Sequence, residues 1–317
     1  MFALFFYTYY MQLRLRVILL MVGFLLIGIN QLQPINFSNQ VNLLLVVLFI
    51  LGIPHGALDF FIDKKIQNTQ GAKHSLVFFG KYFSNMAIYS LIWYYLPALA
   101  ILIFIGLTAY HFGEIDWIGK AENKWHQLIY FLLGLSWILF LLSKNIHAAI
   151  EIFMLLGQSK IEAAKFYEIA KIIFPITQAS LIIIHVFLFF SWKYFFTKPI
   201  NFFYAVIQIG CLNIINLALP LWLCFAFYFG IWHSILSFDK IRQEFTIENT
   251  VKGWIKLLSM ALPYSVLAWI GIGLFIKFAL QTLDMAHFLP LLFIGIAVLA
   301  LPHLQVFTKV KLKETTI

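Results

Sequence analysis

Charge is what this sequence has least of. Of its 317 residues only 11% are Asp, Glu, Lys or Arg, while 62% are hydrophobic. So little polar surface cannot cover a soluble globule. Cysteine is equally scarce: Cys211 and Cys224 lie in apolar runs without a CxxC pair, which excludes a disulfide framework or a cysteine metal site. Long polar stretches are missing, so a separate soluble domain has no place. A small-residue cleavage site after the first apolar run is also lacking, and the expectation is a retained first helix rather than a removed signal peptide. The formal charge of +9 is scattered through short connections, which reads as membrane topology rather than a nucleic-acid surface.

What is present is apolar sequence in lengths of ~20 residues, the length of a spanning helix. Ten candidate spans follow, at 13–32, 41–62, 76–96, 97–113, 125–143, 168–192, 200–219, 221–238, 257–279 and 285–307. Only Pro97 separates the third from the fourth. The fold class expected is all-α, a polytopic transmembrane bundle of about ten spans (eight to ten) forming one domain over 1–317, with a metal site between helices. The stretch from Ile146 to Lys171, with Glu151, Lys160, Glu162 and Lys165, reads as an amphipathic surface helix. Arg14 and Arg16 place the N-terminus inside by the positive-inside rule. Lys64, Lys65, Lys73 and Lys81, then Lys120 and Lys124, Lys193 and Lys198, the 239–256 loop and the KVKLK tail continue the alternation. Lys144, Lys160 and Lys165 are its exception.

The outside-to-inside spans each carry a histidine near the inner end: His55, His111, His185, His233 and His303. The next basic residue follows after nine, nine, eight, seven and six positions. At ~1.5 Å per residue the histidines lie roughly 9–14 Å from those anchors, in one layer. Polar groups at such depth face the bundle interior or a cavity, and several imidazoles at one level suit a buried iron or zinc centre. His55 has Asp59 four residues on, the same face of a continuous helix; His111 precedes Glu114 and Asp116; His233 precedes Ser234, Ser237 and Asp239. Carboxylates beside a metal histidine commonly accept its second N–H.

A lone transmembrane histidine more often bonds a neighbouring helix, and His185, with no acid or glycine beside it, keeps that assignment. His74, His126, His147 and His287 sit in or beside connections, where solvated or interfacial roles are expected. Gly52, Pro54, Gly56 and Gly113 read both as packing and kink residues and as local helix breaks that admit a bulky apolar substrate.

The four motifs, PHGALD at 54–59, YHFGEID at 110–116, WHS at 232–234 and PH at 302–303, resemble the Brp/Blh family of membrane β-carotene 15,15'-dioxygenases in order and over most of the chain. The resemblance implies an iron-dependent enzyme of the inner membrane that uses O2 to split β-carotene at its central double bond into two retinal molecules, often for a rhodopsin. It makes His55, His111 and His233 ligands of Fe(II), with Asp59, Glu114 and Asp116 orienting ligands. The family's pattern has a second histidine four residues after that of WHS, where this chain has Ser237, and tends to close the first motif with histidine, where it has Phe60. Three outcomes stand: His303 completes a four-histidine set, three ligands suffice with open positions, or carotenoid cleavage is lost.

Other classes remain open at this level. A transporter or proton channel would use intramembrane His and Asp as a relay, with water access and no iron. A haem electron carrier would need bis-histidine ligation. A membrane diiron oxidase would need HxxH or HxxxH pairs, and the chain has neither.

Overall fold

A computed structural model describes residues 2–68, 71–117, 124–157, 160–191, 199–282 and 285–314, and among them every regular element is helical. All ten apolar segments fall in helices to within a few residues at their ends. Pro97 separates Ala72–Tyr95 from Pro97–Asp116 because the residue before proline is forced out of the helical region, and Leu96 sits at φ −138°. Six segments among the described residues are long and apolar enough to cross a membrane: Leu13–Leu32, Phe37–Gln67, Pro97–Asp116, Trp125–Lys144, Leu221–Glu244 and Val251–Leu274. Lys171–Ile184, Phe202–Ala218 and Leu291–Phe307 are apolar but shorter. Ala72–Tyr95 is outside both groups, diluted by Lys81, Asn85 and its tyrosines. The expected eight to ten spans thus depend on helices beyond those six.

Of the stretch 146–171 the described residues form Ile146–Gly157 and the start of Lys160–Phe190, and 158–159 lie outside them. Lys120, Lys193 and Lys198, read as topology signals, lie outside the described residues. Two other cations have structural partners. Arg16 donates to the carbonyls of Ile115 (2.8 Å), Asp116 (3.0 Å) and Trp117 (3.3 Å), capping the end of Pro97–Asp116. Lys144, the exception to the charge alternation, donates to the carbonyls of Asn216 (2.8 Å) and Leu219 (2.7 Å) and so caps Pro199–Ala218.

The chain divides into two compact units, each discontinuous in sequence. The first comprises Met1–Gly52, Ala109–Ala148 and Tyr167–Lys240. Its helices approach closely through glycine: a Cβ at Gly113 would collide with the Tyr130 carbonyl, and one at Gly134 with the Ala109 carbonyl. Leu13, Trp117, Ile129, Tyr130, Leu133 and Phe202 form a buried cluster there. The second unit comprises Ile53–Thr108, Ala149–Phe166 and Ile241–Ile317. In it Met285–Glu314 packs on Ala72–Tyr95 and Asp59–Gln67, around a core of Tyr89, Trp93, Ala100, Ala297 and Val298. Tyr89 donates to the Ala100 carbonyl at 2.7 Å.

Two of the histidine-bearing runs, Phe37–Gln67 and Leu221–Glu244, depart from regular α-helix. The first widens into a π-helical segment, Leu48–Gly52, just before Pro54, a residue without the N–H that a regular turn needs. After Ile53–Gly56 it turns at residues 57–58, with Leu58 N–H on the His55 carbonyl at 3.4 Å, and resumes as Asp59–Gln67. The second run holds a longer π-helical segment, Ala226–His233, where the Ser234 hydroxyl donates to the Phe229 carbonyl five residues back at 2.9 Å. Such π segments are frequent at functional sites.

Candidate metal centre

Four deep histidines of the sequence form two pairs, one in each unit. In the first unit His111, from Pro97–Asp116, meets His233, from the end of the π segment, with ring centroids 4.9 Å apart at 72°. Both are buried, at 3% and 1% exposure. Apolar rings sheathe them: Phe112 lies 4.8 Å from the His233 ring, and Phe229 stacks on it at 5.8 Å.

The three acidic candidates take different roles from one another. Glu114 places Oε2 3.9 Å from His111 Nδ1, too long for a direct hydrogen bond, and Oε1 2.9 Å from Lys240 Nζ. Asp116 accepts from Tyr228 Oη at 2.6 Å and Trp232 Nε1 at 2.7 Å, so it anchors the π segment one residue before His233. Asp59 belongs to the second unit. A turn at 57–58 interrupts the helix between it and His55, and both side chains meet His303. Asp59 Oδ1 lies 2.8 Å from His303 Nδ1, and its Oδ2 accepts from Tyr82 Oη at 3.1 Å.

In that second unit His55 and His303 stand with ring centroids 5.1 Å apart at 79°, both buried, and Phe307 covers His303 at 4.7 Å. Among the described residues no group of three or more His, Cys, Asp or Glu has the geometry to hold a metal ion. Each pair brings two imidazoles together within one unit. Two imidazoles sharing an ion at ~2.1 Å have ring centroids about 5 Å apart, as both pairs do. The Asp59 carboxylate on His303 Nδ1 favours the tautomer that carries its proton there.

Ser237 is fully buried beside His233, Oγ to Nε2 3.4 Å, so the serine occupies the turn after the ligand candidate. Phe60 packs in an aromatic cluster with Phe78, Phe79 and Tyr264. Of the connection histidines, two are enclosed in packing rather than solvated. His126 is 1% exposed and meets Trp117 and Tyr130, and His74 pairs with the buried Asp63 at 3.0 Å. Tyr82, Tyr228 and Trp232 escaped the sequence reading. Trp232 had a signal, its place beside His233, while the two tyrosines are lost among the chain's 14.

These features define a chain whose described residues are helical in every regular element, with helices long and apolar enough to cross a membrane and paired buried histidines. The family model for beta-carotene 15,15'-dioxygenase matches residues 46–311, and the chain belongs to that family. It is similar to the beta-carotene 15,15'-dioxygenase of Uncultured marine bacterium 66A03, 26% identical over 263 residues that cover 82% of this chain and 90% of the relative. No solved structure matches it.

Proposed function

We propose that this protein is an iron-dependent oxygenase that cleaves β-carotene at the 15,15' double bond with O2, giving two molecules of retinal. The reaction balances without added protons or electrons: the central C=C breaks and each carbon takes one oxygen atom, leaving two aldehydes. The observation that carries the reading is the presence of two buried histidine pairs at the motifs of a family named for this activity. The proposed ligands are His55, His111, His233 and His303. Their assignment as ligands rests on their common depth in the sequence and on family membership. Bound Fe(II) supplies the electron-rich, open-sided site at which O2 is activated. The protein's own part is to hold the imidazoles in place, to fix the His303 tautomer through Asp59, and to keep water away with Phe112, Phe229 and Phe307. Glu114 and Asp116 support the His111 and His233 side from neighbouring positions. The apolar polyene enters from the bilayer of the inner membrane, and its retinal product suits a retinal-binding rhodopsin.

Ser237 favours a second reading, a family member that holds iron but has lost carotenoid cleavage, since serine does not replace imidazole as a strong ligand. Expression in a bacterial host that accumulates β-carotene separates the two. Loss of orange colour with formation of retinal, abolished by His111→Ala, is expected. Unchanged β-carotene beside folded, iron-loaded protein would leave only the second reading, and purified protein that takes up no iron under reducing conditions would remove both.

A further inference from the structure

Resting on that iron reading, we propose that Tyr82 is a positioning residue for His303, acting through Asp59. The three side chains form a line within one unit: Tyr82 Oη donates to Asp59 Oδ2 at 3.1 Å, and Asp59 Oδ1 lies 2.8 Å from His303 Nδ1. A carboxylate bound through one oxygen can still rotate about its last side-chain bond. With each oxygen engaged by a different helix it cannot, and it presents a fixed acceptor to the imidazole. Asp59 is 2% exposed, so water is a poor substitute for the tyrosine hydroxyl. The fixed acceptor selects the Nδ1–H tautomer of His303 and leaves the Nε2 lone pair for a metal ion.

A second contact holds the same helix face in register. Asn85, three residues after Tyr82, donates to Gln305 at 2.6 Å, two residues beyond His303 on its own helix. The Ala72–Tyr95 helix contributes no proposed ligand, yet it grips the ligand-bearing helix Met285–Glu314 on either side of the Asp59 contact. Its role is to present one hydroxyl.

The test uses the full-length protein in detergent and Tyr82→Phe, which keeps the ring contacts with Phe78 and Phe83. Nitrogen NMR of histidine-labelled, metal-free protein reads the His303 tautomer directly: the wild type is expected to hold Nδ1–H alone, the variant a mixture. Iron(II) affinity by chelator competition is expected to fall about 10-fold, with the KM for carotenoid unchanged. In an Asp59→Asn background the same substitution adds no further loss, because both act through one carboxylate. A variant with an unaltered tautomer overturns the proposal, as does a Tyr82→Phe loss that simply adds to that of Asp59→Asn. Wild-type protein that binds no iron(II) overturns the iron reading alone, and the tautomer measurement then still decides the role of Tyr82.

Discussion

The Tyr228 hydroxyl donates to Asp116 Oδ2 at 2.6 Å, tying the middle of the π-helical segment Ala226–His233 to the end of Pro97–Asp116. The carboxylate receives a second bond from Trp232 Nε1, and its backbone carbonyl accepts from Arg16 and Gln208. His111 and His233 are therefore held together by a knot of buried polar groups next to them as well as by ring contact.

Tyr228→Phe keeps the ring against Trp137 and Phe112 but leaves a buried carboxylate one donor short. The expected cost is about 1–3 kcal/mol. Thermal unfolding in detergent should show it as a lowered midpoint. Trp232→Phe should cost a similar amount, and the double variant less than the sum, because both serve one carboxylate.

Glycine at two helix crossings gives a sharper stability test. A methyl at Gly113 or Gly134 meets backbone carbonyls, which cannot move aside as a side chain does. Gly113→Ala and Gly134→Ala should each destabilise by about 1–3 kcal/mol. Gly106, in the same helix as Gly113, has open space where a Cβ would stand, so Gly106→Ala should leave the unfolding midpoint unchanged or raise it slightly.

The helical class, the ten apolar segments and the break at Pro97 were legible because hydrophobic length and proline act locally along the chain. The pairing of histidines was only half legible: common depth pointed to a layer, but which imidazole meets which depends on packing between distant segments. Asp59 shows the limit. Four-residue spacing set it beside His55, but nothing local along the chain shows that its carboxylate also reaches His303, 244 positions away. The π segments were equally hidden, since no composition rule separates them from α-helix. Arg16 read as a charge marking the inner side of a membrane and Lys144 as an exception to the charge alternation. Each is a helix cap, a role set by carbonyls far away in sequence.

Asp59→Asn keeps the size of the side chain and an acceptor oxygen but removes the negative charge that polarises His303. A neutral amide makes the imidazole a weaker donor to metal, and iron(II) affinity should fall about 10–100-fold. Chelator competition measures this. Asp63→Asn, in the same helix and paired with His74, serves as the control and should leave iron affinity unchanged.

Ser237→His tests the departure from the family's pattern by placing an imidazole four residues after His233, on the same helix face. Ser237 is fully buried, so the larger ring must displace neighbours, at a cost of about 1–3 kcal/mol. In the metal-free protein the unfolding midpoint should therefore drop. Added iron(II) should recover part of the loss, because a ligand that binds only the folded state stabilises it by mass action. The two effects have opposite signs and are read in one experiment, melting with and without metal. A variant whose midpoint falls but whose iron affinity stays at the wild-type value would show that position 237 lies off the metal, whatever the family pattern places there.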